Sequence, residues 1–285
     1  MPTASLLVRN LPHYRRDAFE RGLRQAGFAI AGAVSPRPSP HDVLVIWNRH
    51  GQNHVNALRY EAAGAAVIVA ENGYIDMADA RKTFALALNH HNGAGMWPEG
   101  AQKRAPLLGV RPAPWRGNGQ EGPILLLPQR GIGEPGVAMP LDWEAQVRGR
   151  LRRAMIQTRE IRTRWHPNGR PLGQAYSGPA PKGTGPTLEE ELAGVGLCVT
   201  WASGAGIKAL IIGVPVIFEL ASWVGGMGGS YGTGTLYEPR LGNREAMLER
   251  LAWAQWSVDE VETGEPFRRL MELHDEMKRI GSRLA

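Results

Sequence analysis

Cysteine is nearly missing: Cys198 is the single one in 285 residues, and it sits inside an apolar, β-favouring run. No disulfide can close within the chain, and a cysteine-rich structural zinc cluster is excluded. Long hydrophobic runs are missing too, because charge, glycine or proline interrupts each one before membrane-spanning length. The start MPTASLLVRN has no basic region followed by a long apolar segment. These absences set the expectation of a soluble, unprocessed protein of a reducing cytoplasm, with no membrane partner. The sequence also has no Asp-x-Asp pair, and the expected chemistry is therefore metal-independent.

Other signatures fail on context. GIGEPG (Gly131 to Gly136) spells G-x-G-x-x-G after a strand, but Pro135 and Pro140 interrupt the helix that should open there. PKGTGPT lacks the spacing of a phosphate-wrapping P-loop. His50 and His54 stand four apart with Gly51 between them and no glutamate base, so a zinc-protease helix is not indicated. No helix-turn-helix or zinc-finger pattern is present.

What is present is basic charge and enough apolar residues for two cores. Hydrophobic residues make up 43% of the chain, and Lys+Arg 33 against Asp+Glu 27 gives +6. At this length two domains of moderate size are expected, in a monomer or small homo-oligomer. The basic excess favours phosphorylated or polyanionic partners. It is mostly arginine and is concentrated in VRGRLRRAMIQTREIRTRWHPNGR, Val147 to Arg170. A guanidinium fork matches phosphate oxygens in two-point contact. Arg148, Arg152 and Arg153 fit either a solvated helix face or a DNA-backbone contact; Arg162 and Arg164 lie on an extended segment.

The first third alternates: strand 6–9, helix 17–26, strand 43–47, helix 53–63, strand 66–71 and helix 79–88. Short β-rich runs separated by helices imply a parallel sheet. A Gly- and Pro-rich stretch over 93–122 then marks an interdomain connection or a long functional loop. After it come strand 124–127, helix 143–155, strand 160–165, helix 187–193, a β-α-β unit over 197–218, and terminal helices 244–254 and 266–280. The expected division is residues 1–118, an acceptor-side domain with linker, and 119–285, a donor domain with the terminal helices.

The β-α-β unit carries the sharpest local signal. In LCVTWASGAGIKALIIGVPVIFE, Ser203 is an N-cap for the helix that follows a strand, while Gly204 and Gly206 leave the first-turn amides uncovered. That suits a phosphate; close helix–sheet packing explains the same glycines equally well. Gln129 and Arg130, His166 with Pro167, and Ser203 end three strands, so an amide, arginines, an imidazole and a helix N-terminus are expected on one rim. In the first half Glu71 ends an apolar strand in VIVAENGYID, with Asp76 as the competing general base and His90 and His91 following in NHHNG.

Strand-Gln129, a strand ending in His166-Pro167, and SGAGIKALIIGVPV together resemble the carboxyl-terminal half of capsule-polysaccharide-type glycosyltransferases of the GT-B fold. With VAENGYID and LNHHNGAG, the chain also resembles phage-encoded glycosyltransferases thought to act in DNA base hypermodification. The first likeness covers roughly residues 122–220, through short motifs. It implies an α/β GT-B fold of two Rossmann-like parallel-sheet domains facing a central cleft. It also implies a nucleotide-sugar co-substrate, a UDP-sugar first among them, and no permanently bound cofactor. The donor set becomes Gln129, Arg130, Arg162, Arg164, His166, Ser203, Gly204, Ala205, Lys208 and Glu219. Trp165 departs from the Lys or Arg the family often has before His-Pro, which leaves the donor base open. The expected reaction is sugar transfer to a hydroxyl, with Glu71, Asp76 or His91 as base. DNA carrying hydroxymethylated pyrimidines is the first acceptor, held by Arg148, Arg152 and Arg153 in the host cytoplasm. The alternatives are a surface-polysaccharide acceptor or a non-catalytic DNA- or nucleotide-binding protein.

Overall fold

A computed structural model describes residues 1–77, 79–90, 93–154, 159–166 and 185–284. The chain divides into two compact units, Met1–Leu108 with Leu251–Ala285, and Gly109–Arg250.

The first unit begins with β1 (Thr3–Leu7), α1 (Arg16–Gln25), β2 (Ala29–Ile30), β3 (Val43–Trp47), α2 (Gln52–Ala62), β4 (Ala66–Asn72) and β5 (Thr83–Leu88). β2, β1, β3 and β4 lie side by side and parallel. The expected helix over 79–88 is instead β5, antiparallel to β4, with Glu71 opposite Ala85 and Ile68 opposite Leu88. TFALAL is apolar at every position after Thr83 and only six residues long, a pattern in which a strand buried on both faces cannot be told from a buried helix. Its six residues are all buried. The first sheet is therefore mixed rather than parallel.

The second unit contains β6 (Ile124–Leu127), α3 (Trp143–Arg153), β7 (Ile161–Thr163), α4 (Leu188–Ala193), β8 (Leu197–Thr200), α5 (Gly204–Ile211), β9 (Val216–Phe218) and β10 (Ser230–Tyr231). Its sheet is wholly parallel, in the order β10-β9-β8-β6-β7. Counted from β6, that is the doubly wound order 2-1-3-4-5, which reverses direction between β6 and β8; ligands of such sheets bind outside the strands' carboxyl ends at that point. Trp143, Val147 and Leu151 of α3 are buried against Ile124, Leu126, Leu197, Val199 and Ile217. Truncating one such residue to alanine costs about 2–5 kcal/mol.

The chain then returns to the first unit through α6 (Arg244–Ala252), β11 (Gln255–Ser257), α7 (Val258–Glu262) and α8 (Glu265–Leu284). The helix expected over 244–254 stops at Ala252, and β11 joins the first sheet antiparallel to β5. The terminal segment thus belongs with the amino-terminal third rather than with residues 119–250. The packing reason is direct: α7 and α8 both contact α1, and Phe267 of α8 stands 6.1 Å from the Phe19 ring. On the opposite face of that sheet, Leu44, Ile46, Val67 and Val69 pack on Ala57 and Tyr60 of α2. Among the described residues no helix is long and apolar enough to cross a membrane.

Candidate functional site

The carboxyl rim of the second sheet collects most of the expected donor residues. β8 ends at Thr200, and Ser203 then caps α5 by accepting from the Ala205 amide at 3.1 Å. The first turn of α5 carries no acidic residue, so its dipole favours an anion. Ser203, Gly204 and Ala205 are half-buried, whereas Gly206 is buried. A Cβ on Gly206 would stand 2.8 Å from the Phe218 ring and 3.0 Å from Thr200 Cγ2. Close packing of α5 on β8 and β9 therefore explains this glycine; Gly204, at the first position of α5, is half-buried. Lys208 lies one turn further along α5.

Across the point where strand order reverses, Gln129 follows β6. Its Oε1 accepts from the Ala202 amide at 3.1 Å and its Nε2 donates to the Ala202 carbonyl at 3.3 Å. The side chain thus acts as an extra ladder rung between β6 and β8. This brace differs from the expected ligand contact: it fixes the peptide immediately before the Ser203 cap.

Arg130 and His166 come together on the same rim. The Arg130 Nε is buried with no hydrogen-bond partner among the described residues. Burial first, and then the Arg130 charge, hold the His166 imidazole below its ordinary value, so at neutral pH it is a hydrogen-bonding group rather than a cation. Pro167, the second half of the His-Pro step, lies outside the described residues.

The remaining cations are already engaged. Arg162 donates to Glu160 at 2.6 Å on the surface. Arg164 donates to the Pro186 carbonyl at 3.0 Å and pairs with Glu191 of α4. Exposed pairs of this kind contribute little and are screened by salt, so Arg162 is more available than the partly buried Arg164. Glu219, expected at the donor's ribose or sugar, has both oxygens occupied: one pairs with Arg150 of α3, the other accepts from Thr233 N at 2.7 Å. Sequence reading missed Arg150, whose Nε is also buried without a partner. Its place in an arginine-rich helix hides it among solvated residues.

The arginines expected to meet DNA separate as well. Arg148 donates to Glu144 through Nε and Nη2 at 2.9 and 2.8 Å, to the Thr163 hydroxyl at 2.6 Å and to the Ile161 carbonyl at 3.2 Å. It ties α3 to β7 and does not present a free fork to a phosphate backbone. Arg152 and Arg153, in the last turn of α3, are exposed.

In the first unit Glu71 is half-buried near the carboxyl end of β4. The Tyr74 hydroxyl donates to Glu71 Oε2 at 2.8 Å. Burial, followed by the Glu71 charge, pushes the Tyr74 phenol well above its ordinary value, so it stays a donor to the carboxylate. Asp76 is exposed, just beyond Ile75, whose backbone N–H and carbonyl are both held by Gln255. His91 lies outside the described residues. Because β5 is antiparallel, the chain leaves it opposite Ile68, three residues (about 10 Å) back from Glu71 along β4. His90 follows directly, its amide donating to the Leu88 carbonyl at 2.9 Å. Among the described residues no three His, Cys, Asp or Glu side chains group as a metal site.

With this geometry in hand, comparison with known proteins gives a fold likeness. No protein-family model matches the sequence, and no curated protein does. Among solved structures, KpsC of Thermosulfurimonas dismutans, a β-Kdo 2,4 transferase, aligns with a TM-score of 0.51 at 15% identity, covering 88% of this chain and 89% of that one. The β-Kdo 2,7 transferase of KpsC from the same organism aligns at 0.45 and 13%, covering 95% and 99%. The fold is thus α/β, with one mixed and one parallel sheet, and resembles that of a KpsC glycosyltransferase. The expected link to DNA modification draws no support from these structures.

Proposed function

We propose that the chain is a glycosyltransferase that moves a sugar from a nucleotide-activated donor to a hydroxyl of a surface-polysaccharide acceptor. The observation that carries this reading is the second unit's rim. There a Ser203-capped helix N-terminus, a half-buried Arg130 whose Nε is buried with no hydrogen-bond partner among the described residues, and a neutral His166 stand at the carboxyl ends of neighbouring parallel strands. Those are the groups that bind and stabilise a phosphate leaving group without a metal. The fold likeness to a sugar transferase supports the same reading.

In this mechanism the acceptor oxygen bonds to the anomeric carbon as the bond from that carbon to the donor phosphate breaks. Glu71 takes the acceptor proton, and the departing phosphate keeps the electron pair. Arg130, His166 and the α5 amides stabilise its charge, and Arg162 joins them by giving up its surface pair with Glu160. Gln129 and Glu219 act as positioning residues, the first on the Ala202 peptide and the second on Thr233. UDP-sugars are the first donors to try. A hydroxymethylated pyrimidine in DNA is the alternative acceptor, and its remaining support is the exposed Arg152 and Arg153.

The test is mass spectrometry of products after incubation with a panel of nucleotide sugars and three acceptor classes: capsule-type oligosaccharides, hydroxymethylpyrimidine DNA and unmodified DNA. Transfer to the oligosaccharides, lost in Glu71→Gln, is expected. Transfer to modified DNA alone would replace the acceptor assignment. Nucleotide-sugar binding unchanged by Gly204→Val in a folded protein would overturn the placement of the donor.

A further inference from the structure

Apart from all of these residues, the first unit holds a cavity of about 360 Å³ where Trp253, Trp256, α7 and the start of α8 meet the 100–104 segment. Two of its wall residues are arginines laid on indoles. Arg104 stands 4.2 Å from the Trp256 ring centre and 5.3 Å from that of Trp253. Arg269 stands 4.5 Å from the Trp253 centre.

The two guanidinium groups are used differently. Arg104 donates to the Ala252 and Gln255 carbonyls, each at 3.1 Å, and pairs with Glu260 at 2.8 Å; it is a strut between the 100–104 segment and β11. Arg269 has a buried Nε with no hydrogen-bond partner among the described residues. Its ion-pair contact, Nη1 to Glu265 at 3.8 Å, is beyond hydrogen-bonding distance. A buried N–H left unmade costs about 1–3 kcal/mol. Stacking on Trp253 meanwhile holds the guanidinium plane, and an oriented fork suits a group with two oxygens. Gly100 keeps the opposite wall tight, since a Cβ there would stand 2.3 Å from the Trp253 ring.

The rest of the wall defines what the oxyanion is attached to. Glu265 and Gln102 supply acceptors, whereas Glu260 is taken by Arg104 and the Ser257 amide; among the described residues the Glu265 carboxylate is held only by a long hydrogen bond from Arg268 at 3.4 Å and the 3.8 Å contact with Arg269. Hydroxyl groups satisfy such carboxylates, a second anionic group is repelled by them, and an apolar body leaves them unpaired. The volume lies at the small end of the range for small-molecule sites, about 300–1,000 Å³. We propose that this cavity binds a small polyhydroxylated anion, a sugar phosphate or sugar acid, with its oxyanion on Arg269 and its hydroxyls on Glu265 and Gln102. The site stands independently of the transferase reading, because it shares no residue with the proposed transfer machinery.

The experiment is calorimetry on the full chain with glucose-6-phosphate, glucuronate, inorganic phosphate and glucose at constant ionic strength. It is run beside NMR of the Trp253 indole N–H, assigned through Trp253→Phe. At least one sugar anion should bind and shift that resonance, and which one binds separates phosphate from carboxylate as the recognised group. Inorganic phosphate should bind at least about tenfold more weakly, and Arg269→Gln should lower sugar-anion affinity by about tenfold or more. Arg269→Lys, which keeps the charge but loses the two-point edge, should fall between wild type and Arg269→Gln. Glucose binding as well as its anions, binding that leaves the Trp253 resonance in place, wild-type affinity in both variants, or no probe binding more tightly than about 1 mM would each overturn the site. Inorganic phosphate matching the sugar anions would overturn the polyhydroxylated ligand. If Arg269→Gln fails to fold, the wild-type resonance and the lysine variant decide.

Discussion

Gln129→Ala removes the brace between β6 and β8 and nothing else of comparable size. Ala202 is 3% exposed, so losing the amide side chain strips two buried backbone groups of the partners that stand at 3.1 and 3.3 Å. Each unmade bond costs about 1–3 kcal/mol, reduced where water can enter the space left behind. A loss of about 2 kcal/mol for the pair is the working figure, and it should act locally, on opening of the β8–α5 turn. Hydrogen exchange reads this directly, because the Ala202 amide is itself the donor to Gln129. Its exchange should accelerate by about 10–100-fold, at tenfold per 1.4 kcal/mol, with smaller effects on Ala205 and little change in the first unit. Gln129→Glu sharpens the test. Its carboxylate still accepts from the Ala202 amide but faces the Ala202 carbonyl, so the variant should be destabilised at neutral pH and recover as acid protonates the side chain into a donor. Wild-type protection of the Ala202 amide in Gln129→Ala would refute the brace, and with it the account of how the Ser203 cap is held in place.

Three further outcomes are expected. Gly206→Ala should destabilise the second unit by about 1–3 kcal/mol in denaturant titration, because its Cβ meets the Phe218 ring and Thr200 at 2.8 and 3.0 Å; an unchanged midpoint would return this glycine to a ligand role. His166 should titrate by NMR below the ordinary histidine value, and Arg130→Gln should raise it. A depressed folded-state value means that the unfolded chain binds more protons, so this group costs no stability above the ordinary histidine pKa, about 6.5, and destabilises the fold progressively as pH falls below it. Glu71→Gln should lower transfer by about 10²–10⁴-fold while leaving donor binding intact, and full activity in that variant would remove Glu71 as base.

The second unit was legible because its chemistry is written at strand ends. Each apolar run there is followed at once by its polar residues, Gln129-Arg130 after β6 and Ser203 after β8, and parallel pairing carries those residues to one rim. The Ser203 cap and α5 appear where the sequence places them. What sequence reading missed was commitment. Arg164 and Glu219 have suitable chemistry and position, yet their partners, Glu191 and Arg150, come from other elements, and no spacing rule in one dimension reports an ion pair across 27 or 69 residues; Arg148 differs, because its partner Glu144 lies four residues back on the same helix, a spacing the sequence does display. The first unit was less legible for a different reason. TFALAL is buried on both faces and shows neither helical nor alternating period. QWS is three residues long and gains its strand character only by pairing with β5.

Those two short strands also decide where the terminal segment belongs, and this bears on what each unit contributes. β5 reverses the sheet so that β11 can pair with it, and that pairing brings Gln255 to the loop after Glu71. There Gln255 donates to the Ile75 carbonyl at 2.7 Å and accepts from the Ile75 amide at 2.9 Å. The same carboxyl-terminal strand thus clamps the turn from which Tyr74 reaches Glu71, much as Gln129 clamps the turn before Ser203. In each unit an amide side chain from one strand completes the backbone bonding of a loop that another strand presents. Such a loop can hold its shape without regular pairing because its buried N–H and carbonyl are already satisfied. Gly73 adds to the constraint: a Cβ there would stand 2.1 Å from the Thr83 hydroxyl and 2.9 Å from the Gln255 amide carbon. Any side chain at that position would push the clamp off Ile75 and move Tyr74 with it. A test of the proposed base therefore includes Gln255→Ala, in which Glu71 is untouched. Transfer should fall with donor affinity unchanged, and Ile75 amide exchange should rise by about tenfold or more. Full transfer with a freely exchanging Ile75 would show that the clamp serves the fold and not the base.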